Sequence, residues 1–155
     1  MSDTTAPDFT LPVTGGGTGG GEVTLSALRP APVVLFFYPR DDTSGCTKES
    51  IAFSGLKEEF DALGVQVFGI SKDSLTSHDK FAGKHGLTVP LLSDEGSDVA
   101  ERYGVWAEKK MYGKTFWGIE RSTFLIDGAG RIAREWRKVK VPGHAEEVLE
   151  AAKAL

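Results

Sequence analysis

PVVLFFYPRDDTSGCTKES, running from Pro32 to Ser50, joins an unbroken run of apolar β-formers to the start of a helical pattern, and Cys46, the one cysteine of the chain, falls at the junction. The run Val33 to Tyr38 lacks polar alternation, which is what a strand covered on both faces requires. Pro39 ends it by fixing φ. From about Ser44 to Leu63, Phe53, Leu56, Phe60 and Leu63 recur at helical spacing, and Gly64 supplies the stop. Stepping that stripe backwards in sevens from Phe60 and Phe53 reaches Cys46. The thiol is therefore expected in the first turn, on the core side of the helix and partly sheltered.

Outward from this unit, VQVFGIS reads as a second strand, and strand-helix-strand of this length implies parallel pairing with a right-handed crossover. SLTSHDKFAGKHG predicts a helix with Leu75, Phe81 and Ala82 inward and Gly86 at its end; SDVAERYG predicts a shorter one. STFLID and RIAREWR flank Gly128-Ala129-Gly130 as a hairpin, which makes the sheet mixed. A final helix from about His144 places Val148, Leu149 and Ala152 on one face. At the N-terminus APDFTLPV and EVTL flank the glycine run Gly15 to Gly21 as a hairpin loop. That run formally holds G-x-G-x-x-G (Gly15, Gly17, Gly20), but no helix follows to form a phosphate cradle. The expectation is a single three-layer α/β domain over residues 1–155, with a central mixed β-sheet and an N-terminal extension.

With 155 residues, 40% hydrophobic, 26% charged and a net charge of -4, the composition is that of a soluble globular protein and gives no bulk electrostatic reason for nucleic acid or an anionic membrane. No apolar stretch approaches the ~20 residues of a membrane span, and no secretory pattern is present, so the expected location is cytoplasmic. One cysteine cannot form an intramolecular disulfide. His78 and His85 are two helical turns apart and His144 is isolated, so no metal constellation and no cofactor are expected. Asp41 and Asp42 are adjacent, diverge, and read as turn formers and helix starters. Arg131, Arg134, Arg137, Lys138 and Lys140 read as a solvated strand edge. Trp106, Trp117 and Trp136 read as packing, with Trp117 near the pocket.

A thiol in a first helical turn lies near unpaired backbone N–H groups and the positive end of the helix dipole, which favour thiolate over thiol. Thr43 can act as N-cap with its hydroxyl beside the sulfur. Gly45 leaves room for a backbone N–H to approach a small substrate, forming an anion-friendly nest. By composition a lone cysteine is more often a small buried hydrophobe. Its place at a helix start after a strand, where α/β folds put their chemistry, favours a reactive thiol.

Pro39-x-x-x-Thr43-x-x-Cys46 matches the P-x-x-x-T-x-x-C signature of the peroxiredoxins. FYPRDDTSGCTKE, with GISKDS, PLLSD, MYGK, GIERSTFLID and KVPGH following in order, resembles the bacterioferritin-comigratory or Q-type subfamily over nearly the whole chain. The resemblance implies a thioredoxin-like fold and reduction of hydrogen peroxide or organic hydroperoxides, with Cys46 as the peroxidatic cysteine that becomes a sulfenic acid. It implies that Thr43 orients the peroxide, that Pro39 shields the site, and that Arg121 stabilises the thiolate and the polarised peroxide.

From its own sequence context Arg121 reads either as a surface charge paired with Glu120 or as a cation reaching the helix start from a strand end; the resemblance favours the second. Glu49, one turn after Cys46, is placed to organise Arg121. Many Q-type members carry a resolving cysteine at a position that here holds Ile51 or Ala82. The chain therefore resembles a one-cysteine form, monomeric, whose sulfenic acid is met by an external thiol: thioredoxin, glutaredoxin, glutathione or another low-molecular-weight thiol. Two other readings are a binding or chaperone module in which Cys46 only senses oxidation, and a disulfide reductase. The reductase reading lacks C-x-x-C, since Thr43 and Glu49 occupy the two places that would complete it.

Overall fold

The unalternating run Val33–Phe37 forms a strand whose every residue is buried, as a strand enclosed on both faces must be. The computed structural model describes residues 4–14 and 21–155. Its elements are β1 (Thr10–Pro12), β2 (Glu22–Thr24), β3 (Val33–Phe37), α1 (Ser44–Gly55), α2 (Lys57–Ala62), β4 (Gln66–Ser71), α3 (Leu75–His85) and β5 (Leu91–Ser93). They continue as α4 (Val99–Arg102), β6 (Trp106–Met111), β7 (Lys114–Ile119), β8 (Ser122–Ile126), β9 (Ile132–Arg137) and α5 (His144–Lys153).

The central sheet has the order β5-β4-β3-β8-β9. The β3–β4 and β4–β5 pairs are parallel, whereas β3–β8 and β8–β9 are antiparallel. The expected mixed sheet is thus present. Successive residues of β3 alternate between two cores: Val33, Leu35 and Phe37 pack with Leu11, Val99, Tyr103 and Phe124, while Val34, Phe36 and Tyr38 pack with Cys46, Phe53, Phe60, Phe81 and Val148. Each face contributes its own hydrophobic layer, which gives the three-layer arrangement. Gly69 of β4 is required by this packing, because a Cβ there would lie 2.7 Å from the Phe36 ring.

The structure departs from the sequence expectations in several places. The helix expected from Ser44 to Leu63 breaks at Leu56, whose φ of -104° and ψ of 2° interrupt the ladder. Gly55 has low helix propensity and precedes the break. The redirected second segment keeps Phe60 buried against Phe53, with ring centroids 6.2 Å apart, but turns Leu63 to solvent. β5 and the β6–β7 hairpin were not anticipated. In β6 and β7 the run of lysines, with Tyr112, Phe116 and Trp117 all exposed, hides any inward alternation. β1 and β2 pair antiparallel as the expected N-terminal hairpin; residues Gly15–Gly20, including the formal G-x-G-x-x-G, lie outside the described residues. Of the basic cluster, Arg134 and Arg137 lie on the edge strand β9, with Arg131 just before it and Lys138 and Lys140 just after. Arg137, however, folds back to donate to the carbonyls of Gly104 and Tyr103.

Phe53 is the side chain that joins α1 to the sheet and to α5. It stacks on Phe36 at 4.5 Å and 10°, and meets the His144 ring edge-on. His144, read from sequence as isolated, is buried and shares a hydrogen bond of 2.8 Å with Thr123. Phe53→Ala is expected to cost ~3–5 kcal/mol through lost burial and a residual cavity. Urea unfolding monitored by circular dichroism measures it; a loss below about 1 kcal/mol would show that the second core does not depend on this ring.

Candidate active site

The register of the sheet creates the site. Phe37 at the end of β3 pairs with Ser122 at the start of β8. The residues just beyond these ends, the Tyr38–Thr43 loop and Arg121, therefore emerge together at one end of the sheet. The loop leads straight into α1, whose first turn carries Cys46, and the sulfur is fully buried. It is more enclosed than the partial shelter expected from periodicity.

Arg121 reaches this turn. Its Nη2 donates to Cys46 Sγ at 3.1 Å and its Nη1 donates to Glu49 Oε1 at 2.7 Å. Its carbonyl is held by Val139 N–H at 3.0 Å. Burial opposes the Arg121 charge, but the carboxylate of Glu49 and the sulfur outweigh it and strengthen the cation. At Gly45 a Cβ would lie 3.1 Å from Arg121 Nη2, so the glycine also admits the guanidinium to the sulfur.

Glu49 is buried, and burial pushes its carboxyl up to about 7 against the opposing pull of Arg121. Its Oε2 has no hydrogen-bond partner among the described residues. Lys109 of β6 donates to the Ile119 carbonyl; burial and the charge of Arg121 push its ammonium down, and Cys46 acts in the opposite sense. Lys109 is a second cation that sequence reading missed, since one more lysine in a lysine-rich hairpin carries no signal.

Thr43 occupies the N-cap position of α1 with extended backbone, but its side chain caps nothing. The hydroxyl donates instead to Arg40 O at 3.1 Å. The first-turn N–H groups thus lack a side-chain partner at the cap, and by helix geometry they have no intrahelical carbonyl to reach. Pro39 is half-buried where β3 ends.

Asp41 and Asp42 are more than turn formers. Asp42 takes φ of 58° and pairs with Lys84 and His85 of α3 at 2.7 and 2.9 Å. Asp41 is buried and binds Tyr38, Ser77 and His78, and these hydrogen bonds hold its carboxyl below the usual range against burial. The ligand atoms of Asp41, Asp73 and His78 lie within 4.8 Å of one another, a cluster that a search limited to histidine spacing overlooked. Hydrogen bonds already join them: Asp73 Oδ2 accepts from Asp41 N–H at 2.8 Å and from the Ser71 hydroxyl at 2.6 Å.

Of the remaining expected positions, Ile51 is exposed on α1, whereas Ala82 packs half-buried against the core that holds Cys46. Trp117 is 58% exposed and so is not a packing residue. Trp136 does pack, edge-on to His144 at 5.7 Å.

With this geometry in hand, comparison with known proteins is informative. Residues 3–135 match the model of the AhpC/TSA family. The peroxiredoxin Bcp of Xanthomonas campestris is 46% identical over 149 residues, covering 96% of this chain and 92% of that protein. The peroxiredoxin Bcp of Bacillus subtilis is 46% identical over 148 residues, with the same 96% and 92% coverage. The solved structure of Xanthomonas campestris peroxiredoxin Q superposes with a TM-score of 0.90 at 43% identity, over 99% of this chain and 97% of that one. Its structural work describes alkyl peroxide reduction. That protein has been solved with either of two cysteines changed to serine, at positions thirty-six residues apart. Cys46 and Ala82 have the same separation.

The raised carboxyl of Glu49 has a signed consequence. An acid whose folded value, about 7, lies above its unfolded one contributes stability that is present at low pH and lost as pH rises through about 7. Glu49→Gln removes that dependence. The difference in unfolding free energy between wild type and Glu49→Gln should therefore move in favour of the variant between about pH 5 and pH 8, by on the order of 2–3 kcal/mol. Denaturant titrations at the two pH values measure it, and a pH-independent difference would show that Glu49 stays ionised.

Proposed function

The chain belongs to the AhpC/TSA family and, within it, to the Bcp or Q-type peroxiredoxins, and from that premise we propose that Cys46 is the nucleophile of a thiol-dependent peroxidase acting on hydrogen peroxide and organic hydroperoxides. The observation that carries this assignment is the 3.1 Å contact from Arg121 Nη2 to the sulfur at the head of α1. Sulfur attacks as the thiolate, and the guanidinium and the helix start put positive charge where that attack and the peroxide oxygens would lie.

The thiolate attacks the terminal oxygen of ROOH. An S–O bond forms from the sulfur lone pair as the O–O bond breaks, and the leaving oxygen takes up a proton to depart as an alcohol, or as water when the substrate is hydrogen peroxide. Sulfur is oxidised to the sulfenic acid and the peroxide is reduced. Arg121, positioned by Glu49, serves first the thiolate and then the negative charge that grows on the peroxide oxygens, which is where fixed donors lower a barrier most. Gly45 clears its path. The Thr43 hydroxyl oxygen, whose hydrogen goes to Arg40 O, and the open N–H groups of the first turn of α1 stand where the peroxide would lie, and Pro39 shields the site.

Ala82 stands where the matched spacing would put a second cysteine, so the sulfenic acid is resolved from outside. A thiol condenses with it to a mixed disulfide and water, and a second thiol releases Cys46 and carries the disulfide away. Thioredoxin, glutaredoxin and glutathione all have the chemistry. This need for a reducing thiol supports a cytoplasmic setting, and no helix among the described residues is long and apolar enough to cross a membrane. We read residues 1–155 as one domain, because segments near both ends, Leu11 and Val148, pack on opposite faces of one sheet. We read it as a monomer that needs no cofactor.

Cys46→Ser should abolish peroxide consumption while leaving the circular dichroism spectrum unchanged. Arg121→Ala should slow the peroxide step by about 10²–10³-fold, the loss typical of one charge-stabilising donor. Stopped-flow rates with reduced protein test both, and an active Cys46→Ser variant would overturn the assignment. Sustained turnover with added thiol separates an enzyme from a sensor, which reacts once and stops. Mass spectrometry after peroxide treatment should show sulfenic and then sulfinic acid, or a mixed disulfide when glutathione is present.

A further inference from the structure

The loop that delivers Cys46 is held by a contact outside the nucleophile's own surroundings. Thr43 does not cap α1, so something else must fix the bend between β3 and the helix. Asp41 does so. Its Oδ1 accepts from the Tyr38 hydroxyl at 2.6 Å, its Oδ2 accepts from the Ser77 hydroxyl at 2.8 Å, and the same oxygen lies 2.8 Å from His78 Nδ1. The other ring nitrogen, Nε2, lies 2.9 Å from Leu92 O. A carbonyl oxygen only accepts, so Nε2 carries a hydrogen. A bare Nδ1 would then face a carboxylate oxygen, lone pair to lone pair, and a second proton must lie between Asp41 and His78. Both side chains are buried, with His78 fully enclosed. One buried bridging proton ties the loop before the nucleophile to α3 and β5.

We infer that the His78–Asp41 bridge is the clamp that sets the balance between the two half-reactions, holding Cys46 enclosed for peroxide and releasing it for the reducing thiol. The inference rests on the peroxidase reading above. Cys46 is fully buried, and hydrogen peroxide, the smallest substrate of the proposed reaction, needs far less displacement of the loop to reach it than a thiol does. A glutathione or protein thiol must bring its sulfur to bonding distance of the sulfenic sulfur, which a fully enclosed position does not allow. The loop has to open for that step. Its polar attachments to α3 include the Asp41–His78 bridge, the Asp41–Ser77 bond and the exposed pairs of Asp42 with Lys84 and His85, beside ring contacts of Tyr38 with His78 and Phe81 and the bond from Asp41 N–H to Asp73 just before the helix. Exposed pairs are weak, whereas a buried charge-assisted bridge is costly to break, so His78 dominates the barrier to opening. His78 and Asp41 act through the backbone they hold and are positioning residues.

The test compares wild type, His78→Leu and Asp41→Asn in three measurements on folded protein, checked by circular dichroism. These are oxidation of Cys46 by hydrogen peroxide, reaction of the preformed sulfenic acid with glutathione, and alkylation of reduced Cys46 by a maleimide. His78→Leu fills the ring's space without the bridging proton. It should slow oxidation, and speed both the glutathione step and alkylation, by about tenfold, the scale of one lost charge-assisted hydrogen bond. Asp41→Asn puts a neutral amide-to-ring hydrogen bond in place of the charge-assisted bridge, so it should shift all three rates in the same directions as His78→Leu but by less, and shifts in the opposite directions would overturn the clamp.

A His78→Leu variant that slows oxidation, resolution and alkylation alike, or changes none of them, overturns the clamp. If His78→Leu does not fold, Asp41→Ala takes its place with the same expectations, and unchanged alkylation there overturns the clamp as well. Wild-type protein inert to peroxide would overturn the peroxidase reading itself, an outcome separate from either of these.

Discussion

One half-buried guanidinium is shared between a sulfur and a carboxyl, and the rest of the site is arranged around that sharing. Arg121 donates to Cys46 and Glu49 through different nitrogens. In an enclosed volume each of these interactions is stronger than in water, and any group left unmatched is correspondingly costly. Burial raises the Glu49 carboxyl to about 7 and leaves one of its oxygens without a partner among the described residues. The local charge balance at the sulfur is therefore not fixed. It depends on whether the carboxyl beside Arg121 holds a proton.

The scaffold makes this sharing possible by pairing. β3 delivers the loop and the helix, β8 delivers Arg121, and their antiparallel register brings the two ends together. A slip of one residue in that register would turn Arg121 to the other side of the sheet, because side chains alternate faces along a strand. The two buried faces of β3 resist such a slip, since Leu35 and Phe36 pack in different cores and cannot exchange places without exposing both. Aromatic packing of Phe36, Phe53 and His144 then fixes α1 on the sheet, and with it the position of the thiol.

Enclosure of the nucleophile serves one half of the chemistry and hinders the other. A dry, preorganised pocket strengthens Arg121 as a charge stabiliser, yet the sulfenic acid it produces must become accessible to a thiol that the chain does not itself contain. In the Xanthomonas campestris relative the two cysteines that were changed to serine stand thirty-six residues apart. Here the position at that spacing from Cys46 is Ala82, on α3, which also carries the partners of Asp41 and Asp42. The aromatic side chains exposed on the β6–β7 hairpin, Tyr112, Phe116 and Trp117, take no part in this packing.

The sequence by itself determined the strand-turn-helix unit, the first-turn place of Cys46, the helix stop at Gly64 and the mixed character of the sheet. These follow from periodicity, from proline and from glycine, whose effects reach only a few residues. The resemblance to a family added Arg121 as a partner of the thiol, which local context alone left ambiguous, and the place of Glu49 one turn after Cys46 suggested it as the organiser of Arg121. Only the tertiary structure decided that the sulfur is wholly enclosed, that Gly45 makes room for a guanidinium, that Thr43 does not cap, and that the helix breaks at Leu56. It also decided the Asp41–His78 bridge. Partners 37 and 75 residues apart meet because of strand order and register, and a hydrogen bond across such distances leaves no local pattern in the chain.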